Sequence, residues 1–168
     1  MTEAAPMLHL LCGKPAAGKS TLAARLASPP GTIVLVEDDW LKPLFGEDMA
    51  TLKDYVRCSA RLRAAMVPHI LALLRAGVSV VLDFPANTRA QRGWMRDLLA
   101  ASGAEHQLHL LDTPDDVCLA RLHARNAAGV HPFTVTDAQF HRIAAAFEPP
   151  APDEGFEIVR HAADRGRA

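Results

Sequence analysis

Gly13-Lys14-Pro15-Ala16-Ala17-Gly18-Lys19-Ser20-Thr21 is the stretch whose reading decides the fold. Its first eight residues fit G-x-x-x-x-G-K-[ST], the spacing of a phosphate-binding P-loop. Polyphosphate is bulky and anionic, so a loop that holds it must wrap it with inward-pointing backbone N–H groups. Gly13 and Gly18 permit the backbone angles and close approach that a Cβ would obstruct. Lys19 is long enough to reach the β- and γ-phosphates of ATP, and the Ser20 hydroxyl suits Mg²⁺. The expected nucleotide contacts are therefore Gly13, Lys14, Pro15, Ala16, Ala17, Gly18, Lys19, Ser20 and Thr21. The bland alternative is a glycine-rich turn with a solvated lysine. The flanks argue against it: Met7–Cys12 is a short apolar run, and the residues from Lys19 to Ala27 favour helix, with Leu22 and Leu26 on one face.

Further along, Thr32–Val36, Val78–Asp83, Glu105–Asp112 and Phe156–Arg160 read as strands. Helices are expected over 51–76, with Pro68 kinking or dividing it, and over 88–101, 113–126 and 136–147. Thr113 is the expected cap of the third of these, with Pro114 at its first position. Strand and helix alternate. This predicts an α/β, three-layer P-loop NTPase fold: a central parallel β-sheet of about five strands, helices on both faces, the P-loop strand in the middle. Residues 1–168 are expected to form one domain, with 1–6 and 162–168 as flexible ends and 127–135 as a candidate lid loop.

The 168 residues are 49% hydrophobic and 22% charged, with formal net charge −1. That balance suits a globular domain and disfavours a broad nucleic-acid-binding surface. Cys12, Cys58 and Cys118 are widely spaced and form no metal pattern, which favours a reduced, cytoplasmic protein. No apolar run reaches membrane-spanning length, and no leader pattern is visible.

Asp38 and Asp39 directly follow the second strand, at the sheet edge where ligands bind in open α/β sheets. A carboxylate there can orient an acceptor hydroxyl and take its proton; Asp38 is the favoured base, and one of the pair can instead cap a helix beginning near Trp40. Asp83 ends an apolar strand, the pattern of a carboxylate that organises Mg²⁺ with Ser20; it can also cap the turn before Pro85. Arg121 and Arg125 share a helix face and lead into the lid loop, where they can offset charge on the transferred phosphoryl group; Asp115 or Asp116 can instead pair with them at the surface. Arg89 and Arg92 begin the helix after Asp83 and can hold an anionic substrate group or be surface charge; His131 is a further substrate-contact candidate. His106 and His109 are three apart in a strand, so they face opposite sides and make no metal pair.

These residues resemble the small P-loop kinases and AAA-type ATP-binding domains related to 5′-hydroxyl polynucleotide kinases, zeta-toxin-type kinases and chloramphenicol phosphotransferases. The resemblance runs from Met7 to about Phe147, on Gly13–Thr21, Asp38-Asp39-Trp40, Leu82-Asp83 and Arg121 to Arg125. It implies that Asp38 is the general base and that the lid arginine is Arg121 or Arg125. Where polynucleotide kinases carry an Arg after the Asp-Asp-aromatic stretch, this chain has Leu41, then Lys42.

The expected function is Mg²⁺-dependent transfer of the ATP γ-phosphate to a hydroxyl acceptor, a small molecule in preference to nucleic acid, with no membrane partner. A regulatory nucleotide-binding module or slow NTPase is one alternative, and a 5′-hydroxyl nucleic-acid kinase another.

Overall fold

Strand β1 (Met7–Cys12) is followed by α1 (Lys19–Leu26), β2 (Thr32–Val36), α2 (Glu37–Phe45), α3 (Leu52–Arg75), β3 (Ser79–Asp83), α4 (Arg89–Ser102), β4 (Glu105–Asp112), α5 (Asp115–Ala128), α6 (Asp137–Ala145) and β5 (Ile158–Ala162). The structure is a computed structural model and describes residues 5–129 and 134–162. The five strands form one sheet in the order β2-β3-β1-β4-β5. Every neighbouring pair is parallel. The P-loop strand is central, and the carboxyl ends of β1, β2, β3 and β4 carry Gly13, Glu37, Phe84 and Thr113 into one edge.

The strands are apolar because both faces are covered. Alternation along β1 sends Leu8, Leu10 and Cys12 to one side, where they pack with Leu41 of α2, Leu62, Met66, Ile70 and Leu74 of α3, and Met95 and Leu98 of α4. Leu11 goes to the other side, with Leu22 of α1, Cys118 and Leu122 of α5, and Phe140 of α6. The expected three layers are present. Among the described residues no helix is long and apolar enough to cross a membrane.

Three local expectations are corrected. Of the two outcomes expected at Pro68, division does not occur, since α3 runs on through it: its apolar stripe, anchored on the sheet, holds the helix across the missing backbone donor. α2 begins at Glu37, not near Trp40, so neither Asp38 nor Asp39 is its cap; Glu37, Asp38 and Asp39 fill its first turn, where the helix dipole favours negative charge. Thr113 does not cap α5, because Pro114 occupies that position and the Thr113 hydroxyl donates elsewhere.

A row of histidines crosses the sheet. His9 Nδ1 lies 3.0 Å from His109 Nε2, and His109 Nδ1 lies 2.9 Å from His161 Nε2. Both contacts are satisfied with neutral rings, each giving one donor and one acceptor. His106 faces the other side, with its ring against Phe156. Burial, then repulsion from His9 and His161, pushes the His109 pKa down to about 4. A base whose folded pKa is depressed contributes stability above its unfolded value and loses it as pH falls. This stabilisation should therefore be complete above pH ~6.5 and disappear toward the His109 value of about 4. Within the total loss that denaturant unfolding shows across that window, the His109 share should be roughly 3 kcal/mol. His109→Leu should lose less than the wild type across the window by about that share.

Candidate active site

The P-loop joins β1 to α1. Lys19 is half-buried, and its Nζ donates to the carbonyls of Gly13 (2.7 Å) and Lys14 (3.0 Å), which holds the ammonium over the loop. Burial pulls its pKa below the ordinary lysine value, opposed by the charge of Asp83. Gly18 has φ +107° and would strain any side chain, whereas Gly13 is needed for close approach: a Cβ there would sit 3.2 Å from both the Ala17 and Leu111 Cβ atoms. Ala16 has φ 59°, a left-handed backbone that costs a non-glycine residue about 1–2 kcal/mol. The loop is held from outside by two residues that the motif does not include. Asn87 Oδ1 accepts from the Gly13 N–H at 3.0 Å, and Thr113 Oγ1 donates to the Ala17 carbonyl at 2.9 Å. α1 then begins just after Gly18 with no side-chain cap and no acidic residue in its first turn, an electropositive end suited to an anion.

Ser20 Oγ donates to Asp83 Oδ2 at 3.2 Å. A hydroxyl and a carboxylate side by side at the lip of the loop are hard oxygen donors, the set that Mg²⁺ takes together with phosphate oxygens. Asp38 is half-buried whereas Asp39 is exposed. The Asp38 charge acts on the Arg125 guanidinium, opposing the fall in pKa that burial imposes there. Arg125 Nε is buried and has no hydrogen-bond partner among the described residues. Arg121 reaches the loop itself, with Nη1 3.5 Å from the Ala17 carbonyl and 3.8 Å from where a Gly18 side chain would begin. Lys14 pairs with Asp115. The structure therefore gathers Lys19, Ser20, Asp38, Asp83, Arg121 and Arg125 around one edge.

Beneath Asp38 lies a cluster that spacing does not reveal. Glu37 is 1% exposed. It accepts from Tyr55 Oη at 2.8 Å, Ser59 Oγ at 2.7 Å, and Arg63 Nε and Nη2 at 3.2 and 3.1 Å. All three donors come from one face of α3, so the cluster pins α3 to the first turn of α2 and fixes the residue next to Asp38. Arg63 also lies over the Trp94 ring, 5.8 Å from its centroid. Trp94 packs into the core, whereas Trp40 is 38% exposed.

Arg92 is not placed to touch a substrate. It is 0% exposed. Its guanidinium bonds Glu154 at 2.8 and 2.7 Å and the carbonyls of Ala86 (2.9 Å) and Glu148 (2.8 Å). Arg89 pairs with Asp153, and its N–H donates to Glu148. Both arginines tie α4 to the connector before β5. Breaking a buried pair strands a charge, so Arg92→Ala should cost about 3–5 kcal/mol by denaturant unfolding, without removing a nucleotide contact. His131 lies outside the described residues, as does part of the candidate lid loop.

Among curated proteins none matches the sequence. Similar solved structures share the fold at low identity. A protein from Chloroflexus aurantiacus described as a candidate kinase is 23% identical, with TM-score 0.72, 95% of this chain and 89% of that one covered. In the Pnkp1/Rnl/Hen1 RNA repair complex, a chain 20% identical aligns with TM-score 0.66 over 86% of this chain and 45% of its own length. The Mycobacterium tuberculosis APS kinase, solved with AMPPNP and APS, is 22% identical with TM-score 0.62, covering 96% and 90%. A family model described as an AAA domain matches residues 8–150, from β1 through the connector after α6. That match spans the P-loop and every element around it, so the chain belongs to this AAA domain family, designated AAA_33, and is a P-loop nucleotide-binding domain.

Proposed function

We propose that this chain, acting as one domain, is an ATP-dependent phosphotransferase with a small-molecule hydroxyl acceptor. The observation that carries the reading is Asp38. It is a half-buried carboxylate at the edge that holds Lys19, with its charge reaching Arg125. A regulatory nucleotide switch needs the P-loop but has no use for a carboxylate held there. Structural likeness to kinases supports the same reading.

The backbone of Gly13–Ser20 and the Lys19 ammonium hold the β- and γ-phosphates. Mg²⁺, held by Ser20 and Asp83, would neutralise charge on those oxygens. Asp38 orients the acceptor hydroxyl and accepts its proton as the new O–P bond forms and the bond to ADP breaks. Arg125 and Arg121 offset charge on the transferred group and the departing ADP. A 5′-hydroxyl nucleic-acid kinase is the second reading, on the likeness to the RNA repair complex. It is weakened by Leu41, 0% exposed in the core where that resemblance calls for a phosphate-binding arginine. ATP consumption by the purified protein tests the proposal. It should rise at least a hundredfold with a suitable small alcohol. Turnover indifferent to every alcohol but governed by a protein partner would favour the switch, and stimulation by 5′-hydroxyl oligonucleotides would favour the second reading.

A further inference from the structure

The Glu37 cluster forms one wall of a cavity of about 220 Å³, lined by Tyr55, Val56, Ser59, Arg63, Ala90 and Gln91. These residues come from the first half of α3 and the start of α4, the helix that follows the carboxyl end of β3, so the cavity lies toward the sheet edge that carries Asp38. The Asp38 charge is felt at the Tyr55 phenol. The hydrogen bonds already made decide what the wall can offer. Tyr55 and Ser59 each have one hydroxyl proton, and both point it at Glu37. Toward a ligand they therefore present lone pairs. The charge of Arg63 is balanced within its pair with Glu37 at 3.1 Å. Gln91 Oε1 accepts from the N–H groups of Asn87 and Thr88, which leaves its NH₂ as a donor. The wall thus carries two acceptors, the Gln91 amide donor, the Arg63 N–H groups that Glu37 does not take up, and no net charge among the described lining residues.

An alcohol both donates and accepts, so a hydroxyl-rich molecule matches this wall on both counts. A carboxylate or phosphate only accepts: it could use the amide and guanidinium N–H groups, but it would also meet the lone pairs of Tyr55 and Ser59, and the one lining cation is already balanced by Glu37. The size points to a small molecule. Drug-sized ligands need about 300–1,000 Å³, and this space equals roughly seven waters at about 30 Å³ each, close to a five- or six-carbon polyol. Resting on the phosphotransferase reading, we infer that this cavity is the acceptor site and that its acceptor is a small, neutral polyhydroxyl compound bearing no phosphate or carboxylate. Glu37 is a positioning residue: it keeps the two hydroxyl protons turned inward and Arg63 neutralised.

Binding, not turnover, is the test, so that failure of the kinase reading is visible separately. Alditols and aldoses of four to seven carbons, their aldonates and their monophosphates are titrated calorimetrically into the full chain with Mg²⁺ and AMPPNP. The tightest ligand should be neutral and bind at least tenfold better than its carboxylate or phosphate counterpart. Ser59→Ala should weaken that ligand about tenfold. Glu37→Gln, which frees the Arg63 charge, should narrow the discrimination against anions at least tenfold. A tighter anionic ligand, no binding by any neutral member, or a Ser59→Ala variant that binds the polyol like wild type would overturn the inference. A bound polyol that never receives phosphate would overturn the phosphotransferase reading and leave the cavity's ligand class standing.

Discussion

Lys19→Ala should abolish nucleotide binding, with ATP affinity falling at least a hundredfold. The lysine is half-buried, and its ammonium already lies over the loop, held by the Gly13 and Lys14 carbonyls. In the bound state the same donors would face phosphate oxygens. A hydrogen bond to a charged group contributes about 1.5–3 kcal/mol, and losing two of them corresponds to roughly two to four orders of magnitude in affinity. Lys19 donates to carbonyls within its own loop, so alanine should leave the sheet intact. Titration with a fluorescent ATP analogue reads the effect, and circular dichroism confirms the fold. An unchanged dissociation constant would mean that the loop does not hold the nucleotide as proposed.

Asp38→Asn should lower kcat by about 10²–10⁴-fold, the usual contribution of a positioned general base, with the KM for ATP within a few-fold of wild type. The amide keeps the shape and still orients a hydroxyl, but it cannot take the proton. Asp39→Asn is the internal control. Its side chain is exposed on the outer side of the same helical turn, so kcat should stay within about twofold of wild type, the behaviour expected of a surface substitution. Reversal of these two results would move the base to Asp39.

Much of the fold was legible because it rests on local patterns. The apolar runs at Met7–Cys12 and Thr32–Val36 and the glycines of the P-loop carry their own explanation. Strand and helix alternation then leaves few topologies. The placement of Asp38, Asp83 and Ser20 at one edge was legible for a related reason: each sits at a fixed offset from a strand end. The rest depends on partners distant in the chain. Arg92 looks like surface charge at the start of a helix until Glu154 and the Glu148 carbonyl meet it in the core. Thr113 has the residue type and place of a helix cap, yet its hydroxyl goes to Ala17 across the sheet edge. Glu37 reads as the third member of an acidic run, and nothing near it announces that Tyr55, Ser59 and Arg63 will converge on its carboxylate. Asn87 has no motif at all; its role comes from β1 and β3 being neighbours, which brings its side chain to Gly13.

The fate of the γ-phosphate tests the central claim most directly. ³¹P NMR of the protein with Mg²⁺, ATP and the polyol that binds best should show a phosphate monoester resonance growing in step with the loss of ATP, with little inorganic phosphate. In Asp38→Asn that resonance should be suppressed while ATP remains bound. Inorganic phosphate as the sole product, formed equally by both proteins, would contradict the account.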